Sequence, residues 1–104
     1  MTIAPRVLVV DDERDLAELN AFFLQRAGYT AKVATSAEDA LSLMAQEPFA
    51  VVVSDVRMPR MNGMELLTAV KRSDPDVEVL LLTGHPDLQA AVASIKLGAL
   101  DYLA

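Results

Sequence analysis

AVVVSDVRMPRMNG, residues 50–63, sets an unbroken apolar run against a carboxylate and then a segment rich in turn formers. A strand with one wet face alternates apolar and polar residues. Ala50–Ser54 does not alternate, so it reads as a strand covered on both faces, which is the condition of a parallel sheet. Asp55 follows directly, and Pro59 with Asn62-Gly63 marks the turn beyond it.

On either side of this stretch, Arg6–Val10 (RVLVV), Thr30–Ala34, Glu78–Leu82 (EVLLL) and Ala99–Leu103 are further short apolar runs at fairly even spacing. Helical patterns separate them. The first places Leu16, Leu19, Phe23 and Ala27 on one apolar face and stops at Gly28. The second opens at Ser36 in SAED, a capping-box pattern with Asp39 where Glu is usual, carries Ala40, Leu41 and Met44, and ends at Pro48. The third follows Asn62-Gly63 with Leu66, Leu67 and Val70 inward and ends over residues 73–76; the fourth begins near Pro86 and runs to about Leu97, before Gly98. Strands joined by helices of this length predict one domain, residues 1–104, with a doubly wound α/β architecture and a five-stranded parallel sheet.

Composition agrees. Hydrophobic residues make up 53% and aromatics 5%, so the core must be built from Val, Leu, Ile, Ala and Met. A net charge of -6 with no Lys/Arg block argues against a direct grip on nucleic-acid phosphates. With no cysteine there is neither a disulfide framework nor a thiolate metal site. The opening MTIAPR lacks the apolar stretch of a signal peptide, and no run approaches the roughly 20 residues that span a bilayer. The expectation is a soluble, cytoplasmic domain that does not bind membranes.

In doubly wound sheets, ligands sit beyond the carboxyl ends of the strands, and the residues there are Asp11, Asp12, Asp55 and Thr83. Two ionised carboxylates about 5 Å apart repel by roughly 3 kcal/mol at an effective dielectric near 20, so such a cluster takes up protons or a cation. Oxygen ligands without His or Cys suit Mg²⁺. A carboxylate beside that ion can attack a phosphoryl group, and Asp55, central on the third strand, is the best-placed nucleophile. Plainer readings stand beside these. Asp11-Asp12 would also cap a helix, Asp55 would also serve a turn, and Thr83 would also start the next helix rather than donate to a phosphoryl oxygen. Gly84 would let the backbone approach a ligand closely. His85 reads as a solvated loop residue rather than an acid-base catalyst, and Tyr102 as either a core-edge aromatic or a side chain that moves between buried and exposed states.

VLVVDDE, VVVSDVRMPRMNGMELL, LLLTGH and KLGALDYLA together resemble the receiver domain of two-component response regulators, in order, spacing and residue type over the whole chain. The resemblance implies a flavodoxin-like sheet of order 2-1-3-4-5, the order the chemotaxis member of that family exemplifies in general accounts of the fold. It implies that Asp55 is the phosphorylated residue and that Mg²⁺ is held by Asp12, Asp55 and the Arg57 carbonyl, with Asp11 acting through water. It also implies that Thr83 and Tyr102 form a switch pair. The expected partners are a sensor histidine kinase as donor and an output domain or effector beyond this chain. Such a domain is a phospho-acceptor that assists its own chemistry, not an enzyme in the usual sense. Receivers commonly continue with Lys-Pro and a fifth helix. The sequence given stops at Ala104, so the expectation is a fold lacking that helix, poor phosphoryl acceptance without the Lys, and self-association or element exchange over uncovered apolar area.

Two enzyme-like rivals fit less well. A haloacid-dehalogenase-type phosphatase wants a second Asp where Arg57 stands, and Asp-Asp-Glu after the first strand would repel a flavin phosphate. A receiver-like module that binds partners constitutively, without phosphorylation, is the remaining alternative.

Overall fold

The computed structural model describes residues 5–83 and 97–103, with the backbone alone at Tyr102. In chain order the elements are β1 (Arg6–Val10), α1 (Arg14–Arg26), β2 (Thr30–Ala34), α2 (Ala37–Gln46), β3 (Val51–Asp55), α3 (Gly63–Ser73), β4 (Glu78–Leu82) and β5 (Asp101–Leu103). The five strands form one sheet in the order β2-β1-β3-β4-β5, and every neighbouring pair is parallel. That is the α/β, flavodoxin-like order expected. The third strand runs one residue later than its apolar run suggested, so Asp55 is its last residue rather than the first beyond it. The fifth is shorter than expected, beginning at Asp101 instead of Ala99. The expected fourth helix, with Pro86, lies outside the described residues, as do Gly84 and His85.

Local chemistry sets the helix ends. The Ser36 side chain accepts the Asp39 N–H at 3.0 Å, satisfying a donor the helix leaves open. Asn62 and Glu65 close a full capping box at α3: the Asn62 side chain accepts the Glu65 N–H and the Glu65 carboxylate accepts the Asn62 N–H. After α1, Gly28 turns the chain at φ 100°, a left-handed conformation that residues with a side chain rarely adopt.

The two faces of the sheet are unequally covered. Leu8, Val10, Val52, Val79 and Leu81 point toward α2 and α3 and are sealed there by Leu66, Leu67 and Val70. The opposite face carries a smaller core of Val7, Val9, Ala17, Ala21 and Ala31 beneath α1. Beyond it, Val51, Val53, Leu80 and Leu82 are only half-buried. Full burial on both faces, which the apolar runs implied, therefore holds for β1 and fails for β3 and β4. The first helix also turns another way than its larger apolar side chains suggested. Ala17 and Ala21 meet the sheet, because small residues let the helix approach Val7 and Val9 closely, while Leu16, Leu19 and Phe23 face out. Among the described residues no helix is long and apolar enough to cross a membrane.

At the amino end of the sheet, the Glu47 carboxylate pairs with Arg6 and, at 2.7 Å, with Lys32, tying β1 and β2 to the end of α2. Arg6 also stacks on the Phe49 ring, 5.4 Å from its centre. The Lys32 hydrogen bond and charge, helped by Arg6, hold the Glu47 carboxyl below its ordinary value of 4.5. A carboxylate with a depressed native pKa stabilises the fold above its unfolded pKa and loses that contribution as pH falls through the native one. Glu47→Gln should therefore flatten the decline of melting temperature on acidification below about pH 4.5. Thermal scans of both chains from neutral to acid pH check it, and parallel curves would refute the linkage.

Candidate functional site

The carboxyl ends of β1 and β3 lie side by side, since Val10 is in register with Ser54. The parallel pairing thus places Asp11, Asp12 and Asp55 together although the last two are 43 positions apart in the chain. One carboxylate oxygen from each lies within 4.8 Å of the other two, so the convergence read from the sequence is present. Each sits differently. Asp11 is buried at 7% exposure, Asp55 is intermediate, and Asp12 is exposed.

Neither Asp11 nor Asp12 caps α1. Glu13 stands at the N-cap without a side-chain capping bond, and Asp11 instead accepts the Glu13 N–H at 2.9 Å, which fixes its carboxylate toward the cluster. Asp55 is held likewise, accepting the Arg57 N–H at 3.2 Å. Both anchors are short Asx-type turns, so a single backbone donor orients each side chain. Burial raises the Asp11 pKa first; the Glu13 N–H opposes this, and the charges of Asp55, Asp12 and Glu13 push it further up. The site is rich in negative charge, and a cation would relieve it.

Thr83 follows β4, is 7% exposed, and is anchored by its own N–H to the Leu103 carbonyl at 2.9 Å. It shares with Asp11 and Asp55 the wall of a cleft of about 240 Å³, closed on its apolar side by Leu16, Leu82 and Leu103. Thr83 therefore joins the carboxylates at one site. Arg57 is exposed on the neighbouring loop, where only its N–H reaches Asp55. The Tyr102 backbone pairs with Leu81 in the sheet, and its side chain lies outside the described set.

Two supports escaped the sequence reading. Gly63, the first residue of α3, lies against the last residue of β3: a Cβ there would stand 3.0 Å from the Val56 Cα and 3.1 Å from the Asp55 carbonyl carbon, and closer still to the Asp55 carbonyl oxygen. Only glycine lets α3 begin so near the end of β3. Ser54, fully buried, donates its hydroxyl to the same Asp55 carbonyl at 2.9 Å. Asn62-Gly63 with Glu65 at the third helical position was a legible capping signal; the close approach at Gly63 was not, because it depends on where two distant elements meet.

Comparison with known proteins agrees with this geometry. The family model for the response regulator receiver domain matches residues 7–104. The C4-dicarboxylate transport transcriptional regulatory protein DctD of Rhizobium meliloti is 39% identical over 104 residues, all of this chain and 23% of that protein. The chain thus spans about a quarter of that relative's length. Among solved structures, the Thermotoga maritima response regulator protein TrrA in complex with Mg²⁺ and BeF is 30% identical. It has a TM-score of 0.86 over 96% of this chain and 85% of that one. A Burkholderia pseudomallei response regulator with a phosphorylated aspartic acid, a calcium ion and citrate is 33% identical, with a TM-score of 0.90 over 96% of this chain and 59% of the other. With the strand order, the acidic triad at the strand ends and a family match running from the first strand to the last residue, the chain belongs to the response regulator receiver domain family.

Proposed function

We propose that residues 1–104 act as the phospho-acceptor unit of a two-component pathway in the cytoplasm, with Asp55 as the residue that takes the phosphoryl group. The observation that carries this reading is the meeting of three carboxylates within 4.8 Å at the mouth of a cleft that Thr83 also lines. In the proposed step an Asp55 carboxylate oxygen attacks the phosphorus of a donor phosphohistidine on a sensor histidine kinase. The new P–O bond forms as the P–N bond breaks, and the histidine nitrogen keeps the electron pair. The domain is then a signalling module that assists its own phosphorylation and dephosphorylation.

The donor set suits Mg²⁺: oxygen atoms only, with three carboxylates and no His or Cys in the cluster. Asp12, Asp55 and the Arg57 carbonyl would hold the ion, with Asp11 acting through water. When bound, it would neutralise charge on the transferring phosphoryl group. The protein's own contributions are orientation and a donor. The Glu13 and Arg57 N–H groups aim Asp11 and Asp55, and the hydroxyl of Thr83, a residue that lines the same cleft, would donate a hydrogen bond to a phosphoryl oxygen on Asp55. Movement of Thr83 toward that oxygen, with reorientation of Tyr102, would change the surface around β5, where an output domain or effector would read it.

Incubation with acetyl phosphate and Mg²⁺, followed by intact-mass measurement, tests this. The measurement is made on this chain and on one extended through the fifth helix, and the expected result is a gain of one phosphoryl group in the extended chain, weak or missing in this one, and lost in Asp55→Asn and in chelator. No gain in either chain would leave the constitutive interaction module as the better reading.

A further inference from the structure

We infer that Ser54 is a positioning residue for Asp55: its hydroxyl grips the backbone that aims the acceptor carboxylate. The inference rests on Asp55 being the phospho-acceptor. Ser54 is fully buried on the face of the sheet that α2 and α3 cover, beside the equally buried and apolar Val52. A hydroxyl in such surroundings costs roughly 1–3 kcal/mol unless it is hydrogen-bonded. Its bond goes to the Asp55 carbonyl oxygen at 2.9 Å.

Where that bond falls gives the hydroxyl its role. The Asp55 carbonyl and the Val56 N–H are the two polar ends of one planar peptide unit. The Val56 N–H donates to the Leu82 carbonyl at 3.0 Å, so the unit is held at both ends and the backbone angle leading out of Asp55 is fixed. The next peptide unit is held in the same way. Its carbonyl, on Val56, accepts the Gly63 N–H at 3.0 Å, and its N–H, on Arg57, donates to the Asp55 carboxylate at 3.2 Å. Contacts thus run from the Ser54 hydroxyl through two successive peptide units to the carboxylate oxygen. Every other donor in that series is a backbone N–H, so position 54 is where a side-chain substitution loosens it.

The end of β3 needs such a grip. Asp55 is the last residue of the strand and only half-buried, and the chain beyond it leaves the sheet through the exposed Arg57. A nucleophile must be held close to its attacking geometry, and a displacement of about 1 Å costs up to about a hundredfold in rate. Removing the Ser54 hydroxyl frees one end of the first peptide unit while Leu82 still holds the other. The displacement is then smaller, and the expected loss is about tenfold. Ser54 acts through the backbone and not on the phosphoryl group.

Ser54→Thr and Ser54→Val isolate the hydroxyl, since the two β-branched side chains have nearly one shape and any crowding is common to both. In amide hydrogen exchange on the 104-residue chain, the Val56 N–H should exchange about tenfold faster, relative to that of mid-strand Val52, in Ser54→Val than in Ser54→Thr. A general loss of stability speeds both amides alike and leaves the ratio unmoved. On the chain extended through the fifth helix, the rate constant for phosphoryl uptake from acetyl phosphate at saturating Mg²⁺ should be about tenfold lower in Ser54→Val than in Ser54→Thr. Ser54→Ala, which adds no bulk, should behave as Ser54→Val does. Phe49→Leu, at the opposite end of the sheet, should lower the melting temperature and leave the rate unchanged. Uptake in the parent with equal rates in the Val and Thr variants, or equal exchange ratios, would overturn the inference alone. An extended parent that takes up no phosphoryl group would overturn the acceptor reading and the inference with it.

Discussion

Gly63→Ala should lower the melting temperature by about 15 °C, corresponding to roughly 3 kcal/mol for a domain of this size. The added methyl would meet backbone on the other side: the Val56 Cα at 3.0 Å and the Asp55 carbonyl carbon at 3.1 Å, with the carbonyl oxygen nearer. Backbone cannot rotate aside as a side chain would, so either α3 shifts outward or the end of β3 moves. The first route opens the seal that Leu66, Leu67 and Val70 make over the larger core; the second carries Asp55 away from Asp11 and Asp12. Phosphoryl uptake should therefore fall together with stability. Gly28→Ala is the control that separates crowding from backbone strain. No atom lies within 4 Å of its would-be Cβ, and its φ of 100° alone should cost about 1 kcal/mol. Paired thermal scans decide the matter, and equal losses in the two variants would show that the close approach at Gly63 is not the constraint.

Asp11→Asn should make the metal-free protein more stable at neutral pH. Asparagine keeps an oxygen for the Glu13 N–H while removing a charge that burial and the neighbouring carboxylates disfavour. The gain should be about 1–2 kcal/mol, below the unscreened repulsion because Asp12 is exposed and Asp55 only half-buried. The pH dependence has a definite sign. Asp11 binds its proton more tightly in the native state than when unfolded, where its ordinary value is 3.8. Its stabilising effect is thus present below that value and lost as pH rises through the native pKa. In chelator, the advantage of Asp11→Asn should be absent near pH 3.5 and grow toward neutrality. Millimolar Mg²⁺ should then raise the melting temperature of the unaltered chain more than that of the variant, because a cation removes the same repulsion. Thermal scans with chelator and with Mg²⁺ at several pH values measure both effects. A variant less stable than the parent in chelator at pH 7 would show that the Asp11 charge does not oppose folding.

The sequence alone determined a good deal. Continuous apolar runs ending in Asp and Thr predicted a parallel sheet and a site at its carboxyl edge, because a strand's side-chain environment is written in its own composition. The stops at Gly28 and Pro48, the Ser36 cap and the inward residues of α3 are local features, and each was legible within a few residues. Tertiary structure decided the rest. Spacing defined an apolar stripe on α1, but which side meets the sheet depends on how close the helix can come, and Ala17 and Ala21 allow the closer approach. Likewise the runs could not show that β3 and β4 are fully covered on one face only, since coverage depends on which helices lie over them. The need for glycine at position 63 arises only where the start of α3 meets the end of β3, and the burial that raises the Asp11 pKa arises only where the strand ends assemble. Such constraints belong to pairs of elements brought together by folding, and no short window of sequence contains both members.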